Sequence, residues 1–123
     1  MKKSPFGFES VKVIAVPVLD KGRADRFYGE TLALEAVNDG KTLVGFLIGD
    51  TVIMLKDDFY APPTEMPNPR ITIAVAHAPD TEKALKGRGV VIKDAVQVYD
   101  DGYNIGSFLD SEGNKLWFCS PVK

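Results

Sequence analysis

The stretch VKVIAVPVLDKGRADRFYGETL, residues 11–32, holds the change of period on which the fold turns. From Val11 to Leu19 the residues are rich in Val and alternate in the manner of a strand. Asp20 then offers a helix N-cap, and Ala24, Phe27, Tyr28 and Thr31 recur at helical spacing until the pattern ends near Leu32. A strand therefore runs directly into a helix. Beyond it, Asn38-Asp39-Gly40 and Gly49-Asp50 are tight-turn sequences that cut Leu32 to Lys56 into three strands. The first half reads βαβββ.

Residues 57–69 interrupt this plan with Pro62, Pro63, Pro67 and Pro69 and the aromatics Phe59 and Tyr60. Proline has no N–H to give a ladder, so this connector cannot join a sheet interior. The plan then restarts: Ile71 to Ala76 is a strand, Asp80 behind Pro79 is a candidate cap, and the helix that follows is stopped by Gly87-Arg88-Gly89. Val90 to Val98, Tyr103 to Leu109 and Lys115 to Cys119 supply three more strands. Asp20-Lys21-Gly22-Arg23-Ala24 and Asp80-Thr81-Glu82-Lys83-Ala84 place an acid, a base and an alanine in similar order at the two helix starts. Equal element order and this short match predict a tandem duplication, an α+β domain of residues 1–123 with modules at about 11–56 and 70–119.

The bulk properties agree with one small domain: 123 residues, 45% hydrophobic and 26% charged. Fifteen Lys plus Arg against 17 Asp plus Glu give a net charge of -2, which argues against a nucleic-acid or anionic-membrane binder. One cysteine, Cys119, cannot form an internal disulfide, and one histidine, His77, excludes sites built on two His. The start, Met1-Lys2-Lys3, is basic, but the apolar run from Val11 is broken by Lys12 and Pro17 before it reaches signal or membrane length. The expectation is a soluble cytoplasmic protein.

Alternation splits each principal strand into two faces. Ile14, Val16 and Val18, Ile53 and Leu55, Ile71, Ile73 and Val75, and Leu116 and Phe118 form an aliphatic face expected to pack under the helices against Phe27, Leu32 and Leu85. The opposite face carries Val13, Ala15 and Pro17, Val52, Met54 and Lys56, Arg70, Thr72, Ala74 and Ala76, and Lys115, Trp117 and Cys119. Small residues dominate where a solvated face would be charged, so this face is read as a trough for a ligand. A dimer-forming sheet face is the plain alternative.

The opening Val16-Pro17-Val18-Leu19-Asp20, Arg23-Ala24, Phe27-Tyr28 and Leu32, with the closing Phe108-Leu109-Asp110-Ser111-Glu112-Gly113-Asn114-Lys115-Leu116, resembles the signature of the glyoxalase, bleomycin-resistance and extradiol-dioxygenase (vicinal oxygen chelate) superfamily. The closing part is similar to that family's F-x-D-P-x-G-N-x-[LI] pattern, with Ser111 in place of Pro. The resemblance implies a curled-sheet cup, completed by a homodimer. In the family's metalloenzymes, it further implies a divalent cation held by His, Gln or Glu at four positions, which here carry Val13, Met54, Arg70 and Trp117. None is an ordinary ligand for such a cation, and Arg70 would repel one. The strand neighbours Lys12, Ile14, Ile53, Leu55, Ile71, Leu116 and Phe118 are no better.

The expectation is a metal-independent protein of the bleomycin-resistance-like branch that sequesters a small organic molecule, with no cofactor and no catalytic residue. Trp117 and Arg70 are the principal candidate contacts, with Met54, Thr72, Val13 and Tyr60 as lining. Trp117 offers a stacking plane or is a core or dimer tryptophan; Arg70 offers a fork for a carboxylate or phosphate, or pairs with Glu65 at the surface. Tyr60 and Phe59 could close over the cup as a lid, and Tyr103 could line its rim. Lys56, Arg70 and Lys115 argue against so cationic a ligand as bleomycin and favour an aromatic or acidic metabolite or antibiotic. His77 is read as a surface or capping residue and Cys119 as a buried thiol, while Asp57-Asp58 and Asp100-Asp101 are read as solvated turns. Two alternatives stay open: a diverged lyase or dioxygenase that finds a metal through Glu9, Glu35 or His77, and a dimeric scaffold whose cup is filled by its own side chains.

Overall fold

The computed structural model describes residues 4–99 and 102–122, so the Met1-Lys2-Lys3 start and the Asp100-Asp101 pair lie outside the described residues. The first half forms β1 (Val13–Pro17), α1 (Lys21–Arg26), β2 (Glu35–Asp39), β3 (Thr42–Ile48) and β4 (Thr51–Lys56). The second forms β5 (Thr72–Ala74), α2 (Ala78–Gly87), β6 (Ile92–Tyr99), β7 (Tyr103–Leu109) and β8 (Lys115–Pro121). Each half makes one four-stranded sheet with the same strand order, β1-β4-β3-β2 and β5-β8-β7-β6, and the outer strands β1 and β5 run parallel to their neighbours. The fold is α+β, and the two sheets do not close on each other.

Asp20 caps α1 as expected: its Oδ1 accepts the Arg23 N–H at 2.9 Å. The helix then widens into a π-helical turn over Phe27–Thr31, closed by the Leu32 N–H on the Phe27 carbonyl at 2.8 Å. The second helix corrects the sequence reading. Its N-cap is His77, not Asp80, and Pro79 sits in the first turn. Proline's fixed φ and missing N–H suit a first turn, so the helix begins ahead of it and Asp80 falls inside, 3.1 Å from His77 Nδ1. Strand bounds also differ: β1 and β5 are shorter than the apolar runs that contain them, while β8 runs on to Pro121.

Both sheets carry one device that the sequence did not announce. In β3, a Cβ on Gly45 would collide with the Ile53 carbonyl oxygen and come within 2.8 Å of Val52 Cγ1; in β7, one on Gly106 would come within 2.7 Å of Val96 Cγ2 and 3.0 Å of Phe118 Cζ. The pairing of each outer ribbon slips beside its glycine, at Val37/Asn38 and between Asp94 and Gln97. A bulge raises local twist, and the missing side chain lets the neighbouring strand close in.

The buried residues of both halves form one cluster, including Val16, Val18, Ile53, Leu55, Leu116 and Phe118 from the predicted aliphatic face. Phe46 and Phe108 join it from the third strands, and Tyr28 is fully buried beside Phe46, ring centroids 6.3 Å apart. The turn between β7 and β8 holds the halves together. Asp110 accepts the N–H groups of Glu112 and Asn114 at 2.8 and 2.9 Å and the Tyr28 hydroxyl at 2.7 Å. Asn114 Nδ2 reaches the Pro17 carbonyl at 2.7 Å. The Glu112 carboxylate takes the Leu19 and Asp20 N–H groups at 2.8 and 2.9 Å and both arms of Arg23 at 2.7 and 3.0 Å. Arg23, through its guanidinium, and these backbone N–H groups pull the Glu112 pKa down from 4.5 to about 2. Burial, with Asp110 beside it, pushes the Tyr28 hydroxyl well above its ordinary value, so it stays a donor. The two ends of the recognised signature thus meet and bind each other.

Candidate functional site

The free edge of β1 forms one wall of a cavity. One side of β1 is occupied by β4; along the other runs a pocket of about 380 Å³, roofed by the proline-rich connector and floored by the starts of β5 and β8. Ile14, Val16, Pro17, Pro62, Ile71 and Leu116 give it an apolar lining, and its volume is in the range of small-molecule sites. The connector is stapled in place: the Thr64 N–H donates to Asn114 Oδ1 at 3.0 Å and its carbonyl accepts the Lys115 N–H at 3.1 Å. Tyr60 closes the other end, its hydroxyl donating to the Ala15 carbonyl at 2.9 Å. Partial burial, with Asp58 nearby, raises the Tyr60 pKa, so this donor keeps its proton.

A second pocket of about 310 Å³ adjoins the first and is lined by Glu65, Met66 and Trp117. Pro67, Asn68, Arg70 and Lys115 line both. Trp117 is only 9% exposed, with the Arg70 guanidinium carbon 4.3 Å and Lys115 Nζ 4.6 Å from its ring centroid. Arg70 and Thr72 on one strand line, and Lys115 and Trp117 on the next, share a sheet face, which is why they converge. Each such cation–ring contact stabilises its geometry by about 0.5–1 kcal/mol. Lys115 also donates to Asp94 at 3.0 Å, and Asp94 accepts from Ser107 as well. The Ser107 hydroxyl first, then Lys115, hold the Asp94 carboxyl below its ordinary pKa.

The structure divides the predicted contacts into groups. Arg70 and Tyr60 line the larger pocket, and Arg70 and Trp117 the smaller. Val13 and Met54 lie together on the face of the first sheet, opposite Val52 and Ala15, and Thr72 lies exposed beside Trp117; none of the three lines either pocket. Glu65 is not Arg70's partner: it pairs with Lys93 at 2.9 Å. Phe59 is exposed at a φ of 57°, and Tyr103 is exposed at the far end of β7, away from both pockets. His77 is the cap residue of α2, and Cys119 is half-buried opposite Ala74 and Ile105.

Sequence reasoning missed the connector prolines, Asn68 and Asn114 as lining. It also assigned Ile14, Val16, Ile71 and Leu116 wholly to the core, although they reach the pocket at the sheet edge. A cluster of prolines directly after a strand was the available signal. Among the described residues no group of three His, Cys, Asp or Glu side chains could hold a metal, and Glu9, Glu35 and His77 sit on separate segments. The residues present do not fit the divalent cation that the resemblance associates with metalloenzymes. No helix among the described residues is long and apolar enough to cross a membrane.

No family model and no curated protein matches the chain. Solved structures do. TnmS3, an antibiotic binding protein from Streptomyces sp. CB03234, superposes with a TM-score of 0.74 at 22% identity over 93% of this chain and 97% of its own. A lactoylglutathione lyase from Agrobacterium tumefaciens gives 0.72 at 15% over 95% and 96%. A glyoxalase/bleomycin resistance protein/dioxygenase superfamily member from Sphaerobacter thermophilus gives 0.75 at 19% over 92% and 98%. Paired modules, shared strand order and near-complete superposition give one conclusion: the chain has the fold of the glyoxalase/bleomycin-resistance/dioxygenase superfamily.

Proposed function

We propose that the protein binds and sequesters a small organic molecule in the cleft under the proline-rich connector, without a metal. The observation that carries this reading is the apolar pocket of about 380 Å³ ending at an arginine with no carboxylate partner among the described residues. The donor chemistry supports the metal-free part: Val13, Met54, Arg70 and Trp117 occupy the positions where the family resemblance would put ligands. The similarity to an antibiotic binding protein is in keeping with sequestration, though fold likeness to a lyase is equally present.

The same reading includes a second copy of the chain. The outer strands β1 and β5 each keep an unpaired edge, and Val13 and Met54 sit on one sheet face while Thr72 and Trp117 sit on the other. Two copies arranged so that unlike sheets face each other would bring these four residues into one cup. Sedimentation tests this: a dimer at micromolar concentration is expected, and a strict monomer at millimolar concentration would remove it.

Trp117 is the chain's only tryptophan, so its emission reports on the site directly. In a screen of aromatic and acidic molecules and divalent metals, ligands are expected to shift the emission and raise the melting temperature with EDTA present. A saturable response to Mn, Ni or Zn that EDTA reverses would overturn metal-free binding.

A further inference from the structure

The two pockets share Pro67, Asn68, Arg70 and Lys115, so they are the two ends of one cleft with two cations at its waist. The charges there do not cancel. Lys115 is matched by Asp94 at 3.0 Å, and Glu65, on the wall of the smaller end, is matched by Lys93 at 2.9 Å. Arg70 has no carboxylate within 4 Å and no hydrogen-bond acceptor among the described residues; its guanidinium carbon lies 4.3 Å from the centroid of the indole ring. A guanidinium held over an aromatic ring keeps its in-plane N–H groups available, and their fork matches a carboxylate. The cleft therefore offers one uncompensated positive charge next to an apolar chamber. Trp117, mostly buried beneath the two cations, is better suited to orient Arg70 than to stack on a ligand itself.

Resting on the binding function proposed above, we infer that the ligand is an amphiphilic monoanion, its apolar body in the larger pocket and its carboxylate on Arg70. Doubly charged or cationic molecules of equal size are poorer ligands, because Lys115 is already neutralised and Arg70 repels cations.

The test uses matched pairs, phenylbutyrate, naphthylacetate and dodecanoate against their primary amides, titrated into the full-length protein by calorimetry with Trp117 emission alongside. The acids are expected to bind the wild type at least tenfold more tightly than their amides. Arg70→Gln, a change at an exposed side chain, is expected to bring the acid and amide of each pair to within about twofold of one another, chiefly by weakening the acid; Arg70→Lys is expected to keep part of the preference. Acids and amides binding equally would overturn the anion inference and leave the binding function standing. A preference that survives Arg70→Gln would overturn the assignment to Arg70. If no pair binds, the inference falls together with the function on which it rests.

Discussion

Replacing Glu112 by Gln tests whether the β7–β8 turn clamps the two halves. The carboxylate side chain is fully buried and takes two backbone N–H groups, the Ser111 hydroxyl and the two-pronged Arg23. A fall in pKa from 4.5 to about 2 corresponds to about 3 kcal/mol, at about 1.4 kcal/mol per tenfold change in proton affinity. Arg23 is half exposed, so solvent screening lowers the working figure to about 2 kcal/mol. The sign follows from the depressed folded-state value. The contribution is complete above pH 4.5 and is lost as pH falls toward about 2, where the folded-state carboxylate takes up its proton. Urea unfolding at intervals from pH 7 to pH 2 measures it. At pH 7, Glu112→Gln is expected to be about 2 kcal/mol less stable than the wild type, and the gap is expected to narrow below pH 4.5. A gap constant across that range would refute the argument.

Gly45→Ala forces a methyl against the Ile53 carbonyl and is expected to cost about 3 kcal/mol, with Gly106→Ala nearer 2 because its obstacles are chiefly side chains; thermal melts check both, and a neutral Gly45→Ala would remove the close-approach argument. Tyr28→Phe deletes the hydroxyl that donates to Asp110 in the core and is expected to lose about 2 kcal/mol in urea titration, with the near-ultraviolet circular dichroism of the folded protein little changed.

Much of the fold is legible because its signals are local. The period change between residues 11–19 and 24–31, the Asp20 cap and the Asn38-Asp39-Gly40 turn each act over a few residues; the cap is where expected, β1 keeps only the middle of its apolar run, and the turn comes one step later, at Gly40-Lys41, with Asn38 and Asp39 still in β2. The misplaced Asp80 cap is a case of two local rules competing, with proline's suitability for a first turn winning over aspartate's capping preference. The site is less legible. Alternation assigns Arg70, Thr72, Lys115 and Trp117 to one face, as observed, but the cavity opens at the free edge of β1, beneath Tyr60 and the connector. Its position depends on how one module sits against the other, set by contacts such as Glu112 with Leu19 that span most of the chain. No periodicity in either half encodes that placement. Fully buried Tyr28 shows the same limit, since a tyrosine in a helical window gives no hint of an aspartate 82 residues away.

The clamp has its two jaws on different modules: Arg23, Tyr28 and the Leu19–Asp20 backbone on one, Asp110, Glu112 and Asn114 on the other. Its hydrogen bonds recognise only these groups and are indifferent to the peptide that links them. The connector's contribution is to keep the jaws at high effective concentration. A neighbouring chain offers the same jaws, so the choice between gripping its own second half and gripping another molecule's is a contest of linker length against protein concentration, with the chemistry of the grip identical in both.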